Sequence, residues 1–324
     1  MKLPRRISVA PFHERPPSPG RRVRWLRLLA SAALISQPEI VSSQTPGASS
    51  GGLRDSISQR IAASPGAVVG VAYIDLESGE RLSLAADTAF HAASTMKIPV
   101  MIEVLRRSQQ GAFSLDQAVL MVNQFRSLAD GSPFSLKATD DGDTTLYQRI
   151  GARVPIRELM RLMITRSSNF ATNELIELVG AANVTAGARS LGATRTLVLR
   201  GVEDQKAFDA GLINTTTAAD LATFLVAIEN GRVLSPASSA LMRDILLAQE
   251  FNEKIPAGLP TGTRVAHKTG EITAVSHDAA IVYPAGRKPY VLVVLTRGIR
   301  DSKASSALIA DISRLVYAHA SRGK

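Results

Sequence analysis

The chain has 324 residues, 45% of them hydrophobic, no cysteine and a formal net charge of +10, which is enough length and apolar content for a large core in one or two domains. The lack of cysteine excludes disulfides, iron–sulfur clusters and cysteine-ligated zinc, and the five histidines (His13, His91, His267, His277, His319) form no close-spaced ligand set, so no metal and no other cofactor is expected. Nucleic acid is not expected either: residues 1–44 hold eight basic side chains against two acidic ones, and the rest of the chain has no basic–aromatic stripe.

That basic head runs into the short apolar stretch Leu28–Ile35 and then into Ser- and Gln-containing residues, which reads as an export signal over 1–44. The apolar run is too short for a committed membrane span, and Arg21-Arg22 leaves a twin-arginine route open. A Gly/Ser/Pro linker follows at 45–52. Residues 53–63 read as a helix, and 67–84 as two strands around Glu77-Ser78-Gly79.

Ser94-Thr95-Met96-Lys97 then leads into the apolar stretch 98–105, a buried helix. Serine at a helix start with lysine one turn on puts both on one face, with Ser94 in the field of the helix N-terminus and Lys97 in reach of its proton. By itself the tetrad also reads as a serine cap beside a solvated lysine, and another Ser-x-x-Lys stands at Ser321–Lys324. Residues 125–151 form a long loop whose Asp140-Asp141-Gly142-Asp143 reads as a solvated turn, since no glutamate follows at calcium-loop spacing. Ser167-Ser168-Asn169 lies in a polar loop between two helical stretches. Ser167 is suited to relaying a proton to a leaving group, and Asn169 to binding an amide carbonyl while touching Lys97. Helix-turn capping is the plainer alternative.

Lys268-Thr269-Gly270 lies on a strand of β-branched and small residues. Lys268 and Thr269 suit a carboxylate, Gly270 allows close backbone approach, and the backbone N–H groups of Ser94 and Glu271 would form an oxyanion hole. An ordinary edge strand is the alternative. Strands within 279–296 and a helix over 303–319 close the chain. The expected fold is α/β of α+β type: an antiparallel sheet from the N- and C-terminal segments flanked by helices (53–97 and 255–324), with an inserted all-helical domain (98–254) and the site in the cleft between them.

Ser-x-x-Lys, Ser-x-Asn and Lys-Thr-Gly in that order, with Asn173 and the stretch Asn214–Asp220, resemble the class A β-lactamase-like serine hydrolases, whose fold is shared with penicillin-binding transpeptidases. The resemblance spans residues 52 to 320. It implies a periplasmic or secreted monomer that hydrolyses β-lactams through a Ser94 acyl-enzyme. Two positions depart from the family. Ser168 stands where class A enzymes usually carry a loop-bracing aspartate. The family's deacylation base falls on Glu203, but Lys206 and Ala207 replace the Leu and Asn of its Glu-x-x-Leu-Asn setting. Asp204 and Asp209 are fallback bases, and Glu203 and Asp204 as plain surface charges are the alternative. With a poor water site, the chain would instead be a DD-peptidase or transpeptidase-like enzyme acting on peptidoglycan stem peptides, or a β-lactam sensor acylated once. His277 is expected near the substrate carboxylate.

Overall fold

The computed structural model describes residues 50–322; the expected signal, residues 45–49 of the linker, and Lys324 of the second Ser-x-x-Lys lie outside them. Five strands, β1 (Val68–Asp75), β2 (Arg81–Leu84), β3 (Arg264–Ile272), β4 (Val275–Tyr283) and β5 (Tyr290–Arg297), form one antiparallel sheet in the order β2-β1-β5-β4-β3. The two ends of the chain meet where β1 pairs β5, from Val68 opposite Arg297 to Asp75 opposite Tyr290. The helices are α1 (Ser50–Ala62), α2 (Lys97–Gln109), α3 (Ile156–Thr165), α4 (Asn169–Val179), α5 (Ala181–Ser190), α6 (Gln205–Asp209), α7 (Ala218–Glu229), α8 (Pro236–Leu247) and α9 (Ser302–Ala320). The first helix starts ahead of the expected Leu53, taking in Gly51 and Gly52.

β5 reads as an unbroken apolar run because both faces of the sheet are covered. Successive side chains point to opposite faces. Val291, Val293 and Leu295 therefore join the core beneath the central helices, while Tyr290, Leu292 and Val294 join a second core under α1 and α9. Helix α2 is buried from Lys97 through Leu105, which explains why its sequence shows no polar face until Arg106. Three short strand pairs thread the helical layer: Phe90–His91 with Thr215–Thr216, Ala118–Leu120 with Arg153–Pro155, and Phe125–Arg126 with Pro133–Phe134.

The aspartate-rich loop is not the solvated turn its composition suggests. Only Asp140 of its three aspartates is exposed. Asp143 is buried against the Thr145 hydroxyl and Arg166. Asp141 accepts hydrogen bonds from the N–H groups of Asn169 and Phe170, both at 2.8 Å. Gly142 lies so close to the Arg166 carbonyl that a β-carbon there would stand 2.2 Å from its oxygen. Short polar side chains satisfy open backbone donors as readily as they meet water, and here the open donors are the first N–H groups of α4.

Candidate active site

Ser94 lies in a 3₁₀ turn, Ala93–Met96, rather than in the α-helix itself, which begins at Lys97. In such a turn residues three apart eclipse each other, so the Ser-x-x-Lys spacing puts the two side chains on the same side. Ala93 is held at a φ of +44°, unusual for a side-chain-bearing residue. Its N–H donates to His91 Nδ1 (3.0 Å), and the neighbouring Ala92 N–H donates to the Asn214 carbonyl (2.8 Å). Those anchors hold a backbone shape that would otherwise relax. Strand β3 passes directly against the turn. A β-carbon on Gly270 would stand 3.0 Å from Ser94 N and 3.1 Å from Thr95 N, so any side chain there would crowd the turn.

Lys97 and Lys268 are both fully buried, at 0% exposure. Lys97 Nζ donates to the Ser167 carbonyl (2.7 Å), the Ser167 hydroxyl (3.1 Å) and Asn169 Oδ1 (2.9 Å). Lys268 Nζ donates to the same Ser167 hydroxyl (3.1 Å) and to the Thr269 carbonyl (2.9 Å). Both lone pairs of that hydroxyl are thereby engaged, and its hydrogen is left to donate outward. Burial pulls the Lys97 ammonium down to about 7, opposed by the charges of Asp141 and Glu203. For Lys268, burial and the repulsion of Lys97 lower it well below the usual lysine value. Ser167 is itself strained, at a φ of +57°.

Glu203 faces Ser94 across the cleft from the α6 loop. Ser94, Asn169, Glu203, Phe208 and Ile272 line this cleft of about 470 Å³. The cleft admits water, yet the crowding of its floor raises the Glu203 carboxyl above the usual range; Asp140 adds to the rise and Lys97 opposes it. Asn169 Nδ2 donates to Glu203 Oε1 at 3.1 Å, so one amide joins Lys97 to Glu203. Glu203 also takes a positive φ, +61°, and its two neighbours are clamped. The Asn173 amide holds both the N–H (2.7 Å) and the carbonyl (3.1 Å) of Val202, with Gly201 leaving room for it. Asp204 is buried. It accepts from the Ser127 hydroxyl, Leu128 N and Ala207 N, and although burial opposes this, those bonds hold its carboxyl below the usual range. Asp209 bonds Gln205 and lines neither cleft beside Ser94. Asp204 also borders the cleft, but its carboxyl is taken up by the Ser127, Leu128 and Ala207 donors, so of the three Glu203 is the carboxylate available to the cleft.

Around Thr269 and Gly270 lies the adjoining part of the cleft, about 270 Å³. It contains a residue that sequence reasoning missed, Lys254, almost fully buried with Nζ 2.9 Å from Glu271 Oε2. No motif marks this lysine; only the approach of its segment to β3 brings it there. The Glu271 side chain is held by Lys254 and by the Ser302 hydroxyl (2.6 Å). His277, expected near the substrate carboxylate, is instead buried behind the nucleophile's turn. Its Nε2 donates to the His91 carbonyl (2.8 Å), and burial pulls its pKa to about 4. The register decides this: His277 pairs with Gly270 and shares its face, the one covered by the turn that carries Ser94.

A serine at the turn before a buried lysine, a second buried lysine on an edge strand, and a serine hydroxyl bridging the two amines form the kind of site a serine hydrolase uses. The chain belongs to the β-lactamase enzyme family, whose model matches residues 52–320. It is 30% identical to the β-lactamase AST-1 of Nocardia asteroides over 92% of this chain and 96% of that one. It is 32% identical to the carbapenem-hydrolyzing β-lactamase KPC of Klebsiella oxytoca, over 77% and 83%. Among solved structures, a β-lactamase from Sphaerobacter thermophilus superposes with a TM-score of 0.72 at 28% identity, covering 84% of this chain and 97% of that one. PBP-A does so with a TM-score of 0.71 at 30% identity, covering 82% and 95%.

Proposed function

We propose that this chain is an exported β-lactamase working through Ser94. The supporting observation is the Lys97–Ser167–Lys268 chain of hydrogen bonds beside Ser94, with Lys97 brought to about 7. A lysine near neutrality has a populated free amine at physiological pH, as a proton acceptor requires. Ser94 Oγ bonds to the lactam carbonyl carbon, and its proton passes to Lys97 and on through Ser167 to the ring nitrogen as the C–N bond breaks. The Ser94 and Glu271 N–H groups receive the oxyanion, Asn169 the substrate amide, and Lys268 with Thr269 the carboxylate. Glu203 then takes a proton from water. The resulting hydroxide adds to the ester carbon, the C–O bond to Ser94 breaks, and the proton held by Glu203 passes to the leaving Ser94 oxygen, restoring both groups. Residues 1–44 carry the chain out of the cytoplasm.

Intact-mass measurement during incubation with a penicillin tests this. One acyl group on Ser94 that appears and then disappears, with release of the ring-opened product, is the expected result; the absence of both an adduct at Ser94 and ring-opened product refutes it. A second reading, a peptidase acting on peptidoglycan stem peptides, is favoured by Ala207, which has no side-chain group to hold a hydrolytic water beside Glu203. The likeness to PBP-A, one mutant of which was solved as an acyl-enzyme complex with penicillin-G, also favours it. An adduct that persists for hours speaks against turnover and for this reading or for the once-acylated sensor.

A further inference from the structure

Ser167, Ser168 and Asn169 carry no carboxylate, yet a carboxylate braces them. Asp141 arrives from 28 residues upstream and places one oxygen on Asn169 N and the other on Phe170 N, both at 2.8 Å. The Tyr147 hydroxyl holds it at 2.9 Å, and Asp143 N at 3.0 Å. Ser168 only caps: its hydroxyl accepts from Ala171 N at 3.2 Å. Asn169, whose N–H Asp141 holds, is the residue whose amide joins Lys97 to Glu203. We propose that Asp141 is a positioning residue for acylation, supplying from the 125–151 loop the carboxylate that position 168 lacks and so holding Ser167 and Asn169 on Lys97.

The arrangement has an electrostatic consequence. The charged groups facing Lys97 are Asp141 and Glu203, which favour its protonated form, and Lys268, with which it repels. Loss of the Asp141 charge therefore lowers the Lys97 midpoint, whereas mere loosening of the fold admits water to a lysine that burial holds low and raises it. Gly142 and Asp143 dock the same loop on Arg166, so it reaches α4 by backbone fit as well as by charge.

The functional half of this proposal rests on the β-lactamase reading, and the test separates the two. In D141N, one of the two N–H groups loses its acceptor while the side-chain shape is kept. The Lys97 side-chain NMR resonance, titrated without substrate, is expected to shift its midpoint below that of the wild type. Amide exchange at Asn169 and Phe170 is expected to quicken, and penicillin acylation to slow by about ten- to a hundredfold, the scale of a small misplacement at a reacting centre. An unchanged or raised Lys97 midpoint overturns the proposal, including when acylation falls only in step with the melting temperature. If D141N does not fold, D141N/S168D decides: a carboxylate returned to the same helix end is expected to restore folding and acylation, and failure to restore them overturns the proposal. Should the wild type take no penicillin, the substrate reading falls, while the titration and amide exchange still judge Asp141.

Discussion

The two sides of the cleft are built differently. On the acylation side, Ser94, Lys97, Lys268 and Gly270 stand on a buried helix, the turn that leads into it and an edge strand, all tied into the core. On the water side, Glu203 stands on a loop whose nearest helix, α6, is five residues long. It is held by side chains from elsewhere, Asn173 on one flank and the Ser127–Leu128 hairpin through Asp204 on the other. A site on regular elements inherits its geometry from backbone hydrogen bonds. A site on a loop needs each of its clamps, so it is the part that evolution can detune without unfolding the protein.

Removing the nucleophile is the largest test. Ser94→Ala is expected to abolish penicillin acylation, read by intact mass, and labelling at full extent would break the assignment. Glu203→Gln breaks the comparison at its other end. The amide cannot take the water's proton, so acylation persists while deacylation falls by about two to four orders of magnitude, seen as a burst followed by a near-zero steady rate. Wild-type turnover would exclude Glu203 as the base. Lys268→Ala removes a charge-assisted hydrogen bond worth about 1.5 to 3 kcal/mol. Acylation by carboxylate-bearing substrates is therefore expected to drop about ten- to a hundredfold relative to neutral esters, and equal losses for both would remove its role.

Asp204→Ala sharpens the contrast between the sides. It leaves the Leu128 and Ala207 N–H groups and the Ser127 hydroxyl without their acceptor, at a cost of about 1 to 3 kcal/mol, and frees the Glu203 backbone. Acyl-enzyme should accumulate while the acylation rate holds; equal damage to both steps would show that the two sides are not separable. The smallest effect is on pH. Acylation needs neutral Lys97, so its rate should fall as pH drops through about 7 and level off above it. Because Lys97 and Lys268 interact, that midpoint belongs to the pair. Deacylation needs ionised Glu203, whose raised pKa should make that step fail at a higher pH than an ordinary carboxylate would. Pre-steady-state rates of the two steps across pH check both limbs.

Much of the acylation side was legible in the chain. Ser94 and Lys97 are three residues apart, and local winding is enough to put them on one side. β5 is an apolar run whose alternation separates the two cores. Order and spacing also brought Ser167, Asn169 and Lys268 into one reading, because each sits in a motif of adjacent residues. The water side was legible only as a position: counting forward from Asn173 reached Glu203, but nothing nearby showed what holds it.

What the tertiary structure alone decided are the contacts between segments that share no periodicity. Asp141 looked like a solvated aspartate until α4 presented its open N–H groups, Lys254 carried no motif, and Asp204 was indistinguishable from a surface charge. His277 sat on a strand whose facing direction only the sheet register could settle. Apolar side chains announce burial by repeating at the period of their helix or strand, so the sequence by itself determined the sheet, the central helix and the order of the reactive residues. A polar side chain is equally at home in water or on a distant backbone donor, and which of these it meets was decided only when the chain closed around it.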